Sequence, residues 1–154
     1  MQRRPFLLAC LSLPGLARAH HGWSSFDLDR PIWLAGRVVE SRWRNPHAEL
    51  VLEVPVGLKV PVDLAGRTLP AQIAAVDGKA LLARAVVPVR RDRRWEIELA
   101  PLTRLQSWKV DPIVPGVSLE LLGFTFKDEK GDAVLRVEYL FVAGKVYGLR
   151  SAPA

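Results

Sequence analysis

The chain has 154 residues, 49% of them apolar and 25% charged, a balance that suits a folded chain with a sizeable core and excludes a disordered one. Its formal charge of +6 overstates how basic the working protein is, because Arg3, Arg4 and Arg18 lie in a leader, so nucleic-acid binding has little support. The one cysteine, Cys10, lies there too, which leaves the rest of the chain without thiolate ligands or disulfides.

Residues 1–19 read as a signal peptide. Arg3 and Arg4 give a positive start, Phe6 to Leu16 is a short apolar run, and Ala17-Arg18-Ala19 is an A-x-A cleavage site. Residues 20–154 are then expected to be exported, periplasmic or secreted. "RRPFLL" fits a twin-arginine signal as well as the ordinary secretory one. "LLAC" suggests a lipoprotein box at Cys10, but leaves too short an apolar run before the cut. No later stretch reaches the roughly 18 apolar residues that a membrane span needs.

Beyond the leader the dominant period is two. "WLAGRVVESRWRN" from Trp33 reads as a long strand that can bend at Gly36, Asn45-Pro46 as turn chemistry, and "AELVLEV" (48–54) as the returning strand. "RWEIELA" (94–100) is a third strand. "PLTRLQSW" (101–108) makes a short helix with Leu102, Leu105 and Trp108 on one side. "VSLELLGFTF" from Val117, the turn "KDEKGD" and "AVLRVEYLFV" from Ala133 form a second hairpin, and Gly144-Lys145 turns into a last strand, "VYGLR".

Three strands, a short helix and two strands predict a mostly β fold: a small OB-fold-like antiparallel β-barrel with one short helix between strands three and four. Closure removes the sheet edges that would otherwise invite pairing with other chains. Residues 20–154 are read as a single domain with an insertion at about 55–93. That insertion is expected to hold a short helix from Thr68 to a stop at Gly78, and a further hairpin through "ALLARAVVPV" whose tip is the arginine run "RRDRR". Such a run is usually a solvated turn; the functional alternative is contact with anionic lipid heads.

"RAHHGW" places two of the three histidines, His20 and His21, at the start of the exported chain. With His20 first, its α-amine and Nδ1 chelate one metal, and an imidazole from His47 completes three nitrogens in a plane. That geometry suits Cu(II) and is a histidine brace. His21 offers a second mode through the amine, the intervening amide and its own ring, so it is an auxiliary or competing ligand. The α-amine's pKa of roughly 8 keeps this chemistry accessible near neutral pH. Zinc would need a fourth ligand such as Asp27 or Glu49, which are also candidates for orienting the rings. The bland reading is a frayed, solvated terminus and a hydrogen-bonded turn histidine.

The five tryptophans, Trp23, Trp33, Trp43, Trp95 and Trp108, read mainly as core or rim, with Trp23 and Trp43 close enough in sequence to the histidines to wall a site. Ser24 and Ser25 adjoin histidines but lack an orienting third group. No nucleophile elbow, phosphate loop, H-E-x-x-H or CxxC occurs.

"AHHGWSSFD", "GRVVESRWRNPHAEL", "WEIELAP", "PGVSLELLGF" and "GKVYGLR" together resemble DUF6152, a family of small exported bacterial proteins of unknown function. His20, His21, Gly22, Trp23 and Asn45-Pro46-His47 are the matching motif positions. The resemblance implies export, an OB-like fold and an association between the AHHGW start and the NPH turn, and brings no activity with it. The leading expectation is a periplasmic copper-binding protein for storage, delivery or sensing, exchanging metal with an envelope donor or acceptor. A metal-free envelope adaptor binding protein or anionic lipid is the first alternative, and a copper oxidase or oxygenase the second.

Overall fold

The computed structural model describes residues 22–154. The expected leader, His20 and His21 lie outside the described residues.

Six strands follow one another: β1 (Ile32–Arg42), β2 (Glu49–Glu53), β3 (Arg94–Glu98), β4 (Ser118–Phe124), β5 (Val134–Val142) and β6 (Lys145–Gly148). Their order is β3-β2-β1-β4-β5-β6, and a further parallel pairing of β3 with β5 closes five of them into a barrel. The helix α2 (Leu102–Ser107) falls between β3 and β4, as the OB-type reading requires. β6 pairs antiparallel with β5 through a turn at Ala143-Gly144, both at positive φ (50° and 73°), the conformation that two-residue hairpin turns favour.

Period-two alternation explains the inner wall. Leu50 and Leu52 of β2, Trp95 and Ile97 of β3, and Leu119 and Leu121 of β4 all point into one buried core. Gly36 is where β1 meets β2 most closely: a Cβ there would lie 2.1 Å from the Glu53 carbonyl oxygen, so the bend expected at this residue is a point of contact where only glycine fits.

β5 is apolar on both faces, since the barrel has a second core outside. Trp33, Leu122, Phe124, Tyr139 and Phe141 on the outer wall are covered by Phe26 and by Leu64, Leu81 and Leu82 of the segment between β2 and β3.

That segment departs from expectation. Residues 68–77 form no helix; instead Gly78 opens a helix, α1 (Gly78–Arg84), whose N-terminus is capped by the Asp77 carboxylate accepting from the Ala80 amide at 3.0 Å. "ALLAR" is therefore helical, and the expected extra hairpin is absent. The arginine run is tied into the fold. Arg90 donates to the carbonyls of Glu129, Gly131 and Asp132, each at 3.1 Å, and lies over Trp95. Arg93 and Arg94 pair with Glu53 and Glu40.

Candidate functional site

His47 is delivered by the β1–β2 connection. Arg42 and Glu49 form an ion pair at 3.4 Å across the mouth of the hairpin, Trp43 packs against the inner core, and the Asn45–Pro46 peptide is cis. Immediately after His47, the Ala48 amide donates to the Ala100 carbonyl (3.3 Å), and the Leu99 amide to the Ala48 carbonyl (3.0 Å). His47 is therefore half-buried at one end of the barrel, beside the last residues of β3.

The start of the described chain docks on the outer wall. Trp23 opens a short 3-10 turn (Trp23–Ser25), and two guanidinium groups lie against its ring, Arg150 at 3.8 Å and Arg136 at 5.1 Å from the centroid. Phe26 and Phe124 meet the indole edge-on, at 6.5 and 6.3 Å. Each arginine is fixed by a carboxylate. Arg136 donates Nε and Nη2 to one oxygen of Glu98 (3.0 and 2.6 Å), and Arg150 donates the same pair to one oxygen of Glu138 (2.8 and 2.6 Å).

Strand register relates this clamp to His47. Glu49 lies opposite Glu98, and Glu98 opposite Arg136; with strands about 4.8 Å apart, the β5 backbone under the clamp stands roughly 10 Å from the start of β2.

Glu138 is the least expected member. Its side chain is fully buried because β5 bulges there: Leu122 faces Tyr139 and Gly123 faces Val137, so Glu138 drops out of the register. Gln72 reaches its second oxygen at 3.3 Å and the Tyr139 hydroxyl at 3.2 Å. Burial pushes the Glu138 carboxyl above its ordinary range, and Arg150 opposes the shift. Burial likewise raises the Tyr139 hydroxyl. Strand alternation carried no sign of this cluster.

Among the described residues no three of His, Cys, Asp and Glu are grouped to hold a metal ion. Of the expected ligands, His47 is on the barrel, while His20 and His21 lie outside the described residues. Glu49 sits two residues beyond His47, whereas Asp27 follows Phe26, its amide donating to the Thr125 carbonyl at 2.9 Å. Trp33 and Trp95 are fully buried, and Trp43 and Trp108 pack against the inner core as rim residues.

DUF6152, a family of unknown function, matches residues 7–59. The DUF6152 match takes in the AHHGW start, the whole of β1 and β2, and the NPH turn between them; β3 to β6 and both helices lie beyond it. No curated protein and no solved structure matches the chain. No helix among the described residues is long and apolar enough to cross a membrane.

Proposed function

We propose that this is an exported, periplasmic protein that binds Cu(II) for storage, delivery or sensing. His20 supplies an amine and Nδ1, His47 an imidazole nitrogen, and His21 an auxiliary donor. The reading is carried by the docking of Trp23 against Arg136 and Arg150, which tethers the chain three residues after His20 over β5, two strands across from the start of β2 that follows His47. A tethered terminus loses little further chain entropy when it closes on a metal, and that strengthens chelation. The nitrogen-rich donor set favours Cu(II) over its first-row neighbours.

The test is competition against a chromophoric copper chelator, using protein that begins at His20. His47→Ala and a form carrying one extra N-terminal Met are each expected to weaken Cu(II) at least tenfold. Unchanged affinity in both overturns the brace.

A second reading, contact with an anionic lipid surface, is favoured by one observation. Val56 and Val89 are 84% and 80% exposed on adjoining loops beside exposed Arg91, and aliphatic tips flanked by cations suit an anionic bilayer. Co-sedimentation with phosphatidylglycerol vesicles that is lost in Val56→Glu/Val89→Glu would establish it.

A further inference from the structure

The segment between β2 and β3 covers most of the outer wall but stops short of one rung. Ala35, Glu120, Phe141 and Val146 stand opposite one another across β1, β4, β5 and β6, and their side chains share the outer face. On one side Arg67 closes the rung, its guanidinium 5.5 Å from the Phe141 ring and paired to Glu120 at 2.6 Å and Asp63 at 2.9 Å. The opposite side is open. The result is a groove of about 810 Å³, within the range of small-molecule sites.

Its charge is unbalanced. Arg37, Arg67, Arg93 and Lys145 line it, against Glu53 and Glu120. Both carboxylates are already taken, Glu120 by Arg67 and Glu53 by Arg93 at 3.5 Å. Arg37 is exposed and makes no ion pair among the described residues. It stands two residues after Ala35 on β1, so its side chain shares the outer face at one edge of the apolar floor.

We infer that this groove binds an amphiphilic organic acid, with the apolar body over Ala35, Phe141 and Val146 and the acid group held by Arg37. An apolar floor with few convergent polar groups is the usual make-up of a ligand site, and a charge-assisted bond to an anion is roughly twice as strong as a neutral one. The groove is separate from the copper site: Arg37 and Glu53 form one end of the β1–β2 ladder, and Arg42 and Glu49 the other.

The probe is 1-anilinonaphthalene-8-sulfonate, compared with N-phenyl-1-naphthylamine, the same body without the acid. Fluorescence titration is expected to show saturable one-to-one binding of the sulfonate. Arg37→Gln weakens it at least tenfold while changing the neutral probe less than twofold, and Ala35→Trp, which fills the floor, removes both. Near-UV circular dichroism checks that each variant is folded. Should Ala35→Trp fail that check, Val146→Trp fills the groove from the other wall. Absence of saturable binding, sulfonate affinity unchanged in Arg37→Gln, or binding that survives a filled floor overturns the inference.

Discussion

The guanidinium carbon of Arg150 lies 3.8 Å from the centre of the Trp23 ring, and the carboxylate holding that guanidinium belongs to Glu138, twelve residues back along the chain and fully buried. A residue near the start of the described chain is thereby fastened to its last strands. The contact joins three things that sequence keeps apart: the amino-terminal motif, the bulge in β5 and the residues after β6.

Trp23→Ala tests whether that fastening serves the proposed metal site. The substitution removes two stacked cations and two edge-on aromatic contacts. With a cation–π contact contributing from about 0.5 to 2 kcal/mol, a stability loss of about 1–3 kcal/mol is expected in urea melts. Copper affinity should fall as well, although no ligand is altered; loss of stability with full copper affinity would make the clamp purely structural.

The arginine run separates into members with different expected costs. Arg90 satisfies three backbone carbonyls, pairs with Asp92 at 2.7 Å and covers Trp95. Arg90→Ala should therefore cost about 2–3 kcal/mol, the range for hydrogen bonds to a charged group lost with its packing. Arg91 is exposed, and Arg91→Ala should stay within about 0.5 kcal/mol. Parallel urea titrations decide it; equal effects would mean that the run acts as an undifferentiated solvated turn.

The barrel was legible in the sequence where strands are buried on one face only. β2 and β3 alternate cleanly, Leu50 and Leu52 or Trp95 and Ile97 inward, and Asn45-Pro46 marks the turn before β2. The slot of α2 between β3 and β4 then pointed to the topology. The segment from 55 to 93 was not legible because it packs on the outer face of strands whose double-sided apolar pattern, as in β5, gives no hint of what covers them. Gly78 illustrates the failure. From sequence it is a helix stop, yet its role is steric: a Cβ there would lie 2.4 Å from the Leu69 side chain and 2.7 Å from the Tyr139 hydroxyl. For the candidate site, the NPH turn could be placed from spacing, whereas Glu138, Arg136 and Arg150 could not, since a bulge and a non-local stack leave no periodic trace.

Gly36→Ala measures how tightly the first hairpin is drawn together. The added methyl would meet backbone, the Glu53 carbonyl oxygen at 2.1 Å, which cannot swing aside as a side chain can. A loss of about 2–3 kcal/mol is expected, within the range for overpacking. Gly66→Ala, with nothing within 4 Å of the new methyl and no positive φ, should be close to neutral. Thermal melts of the two variants give the comparison, and a mild effect at Gly36 would mean that β1 and β2 can part without consequence.

Glu138 sets the sign of one pH dependence. Burial, the largest influence on it, raises its folded pKa above the unfolded glutamate value of about 4.3, with Arg150 opposing. Between those two pKa values the native state holds the proton more tightly than the unfolded chain. Stability from this group is then fully present below the unfolded value and is lost as pH rises through the folded one. Other carboxylates act oppositely: the Arg90 hydrogen bond holds Asp92 below its ordinary range, and its contribution is lost as pH falls. Subtracting Glu138→Gln from the parent chain removes that background, because the amide does not titrate. Urea unfolding from pH 4 to 8 should therefore show the parent's advantage over Glu138→Gln shrinking as pH rises. An advantage that grows with pH would mean that the bond to Arg150 outweighs burial. Arg150→Met, which strands the buried carboxylate, should cost about 3–5 kcal/mol at neutral pH and recover part of that loss on acidification, as the carboxyl takes up its proton.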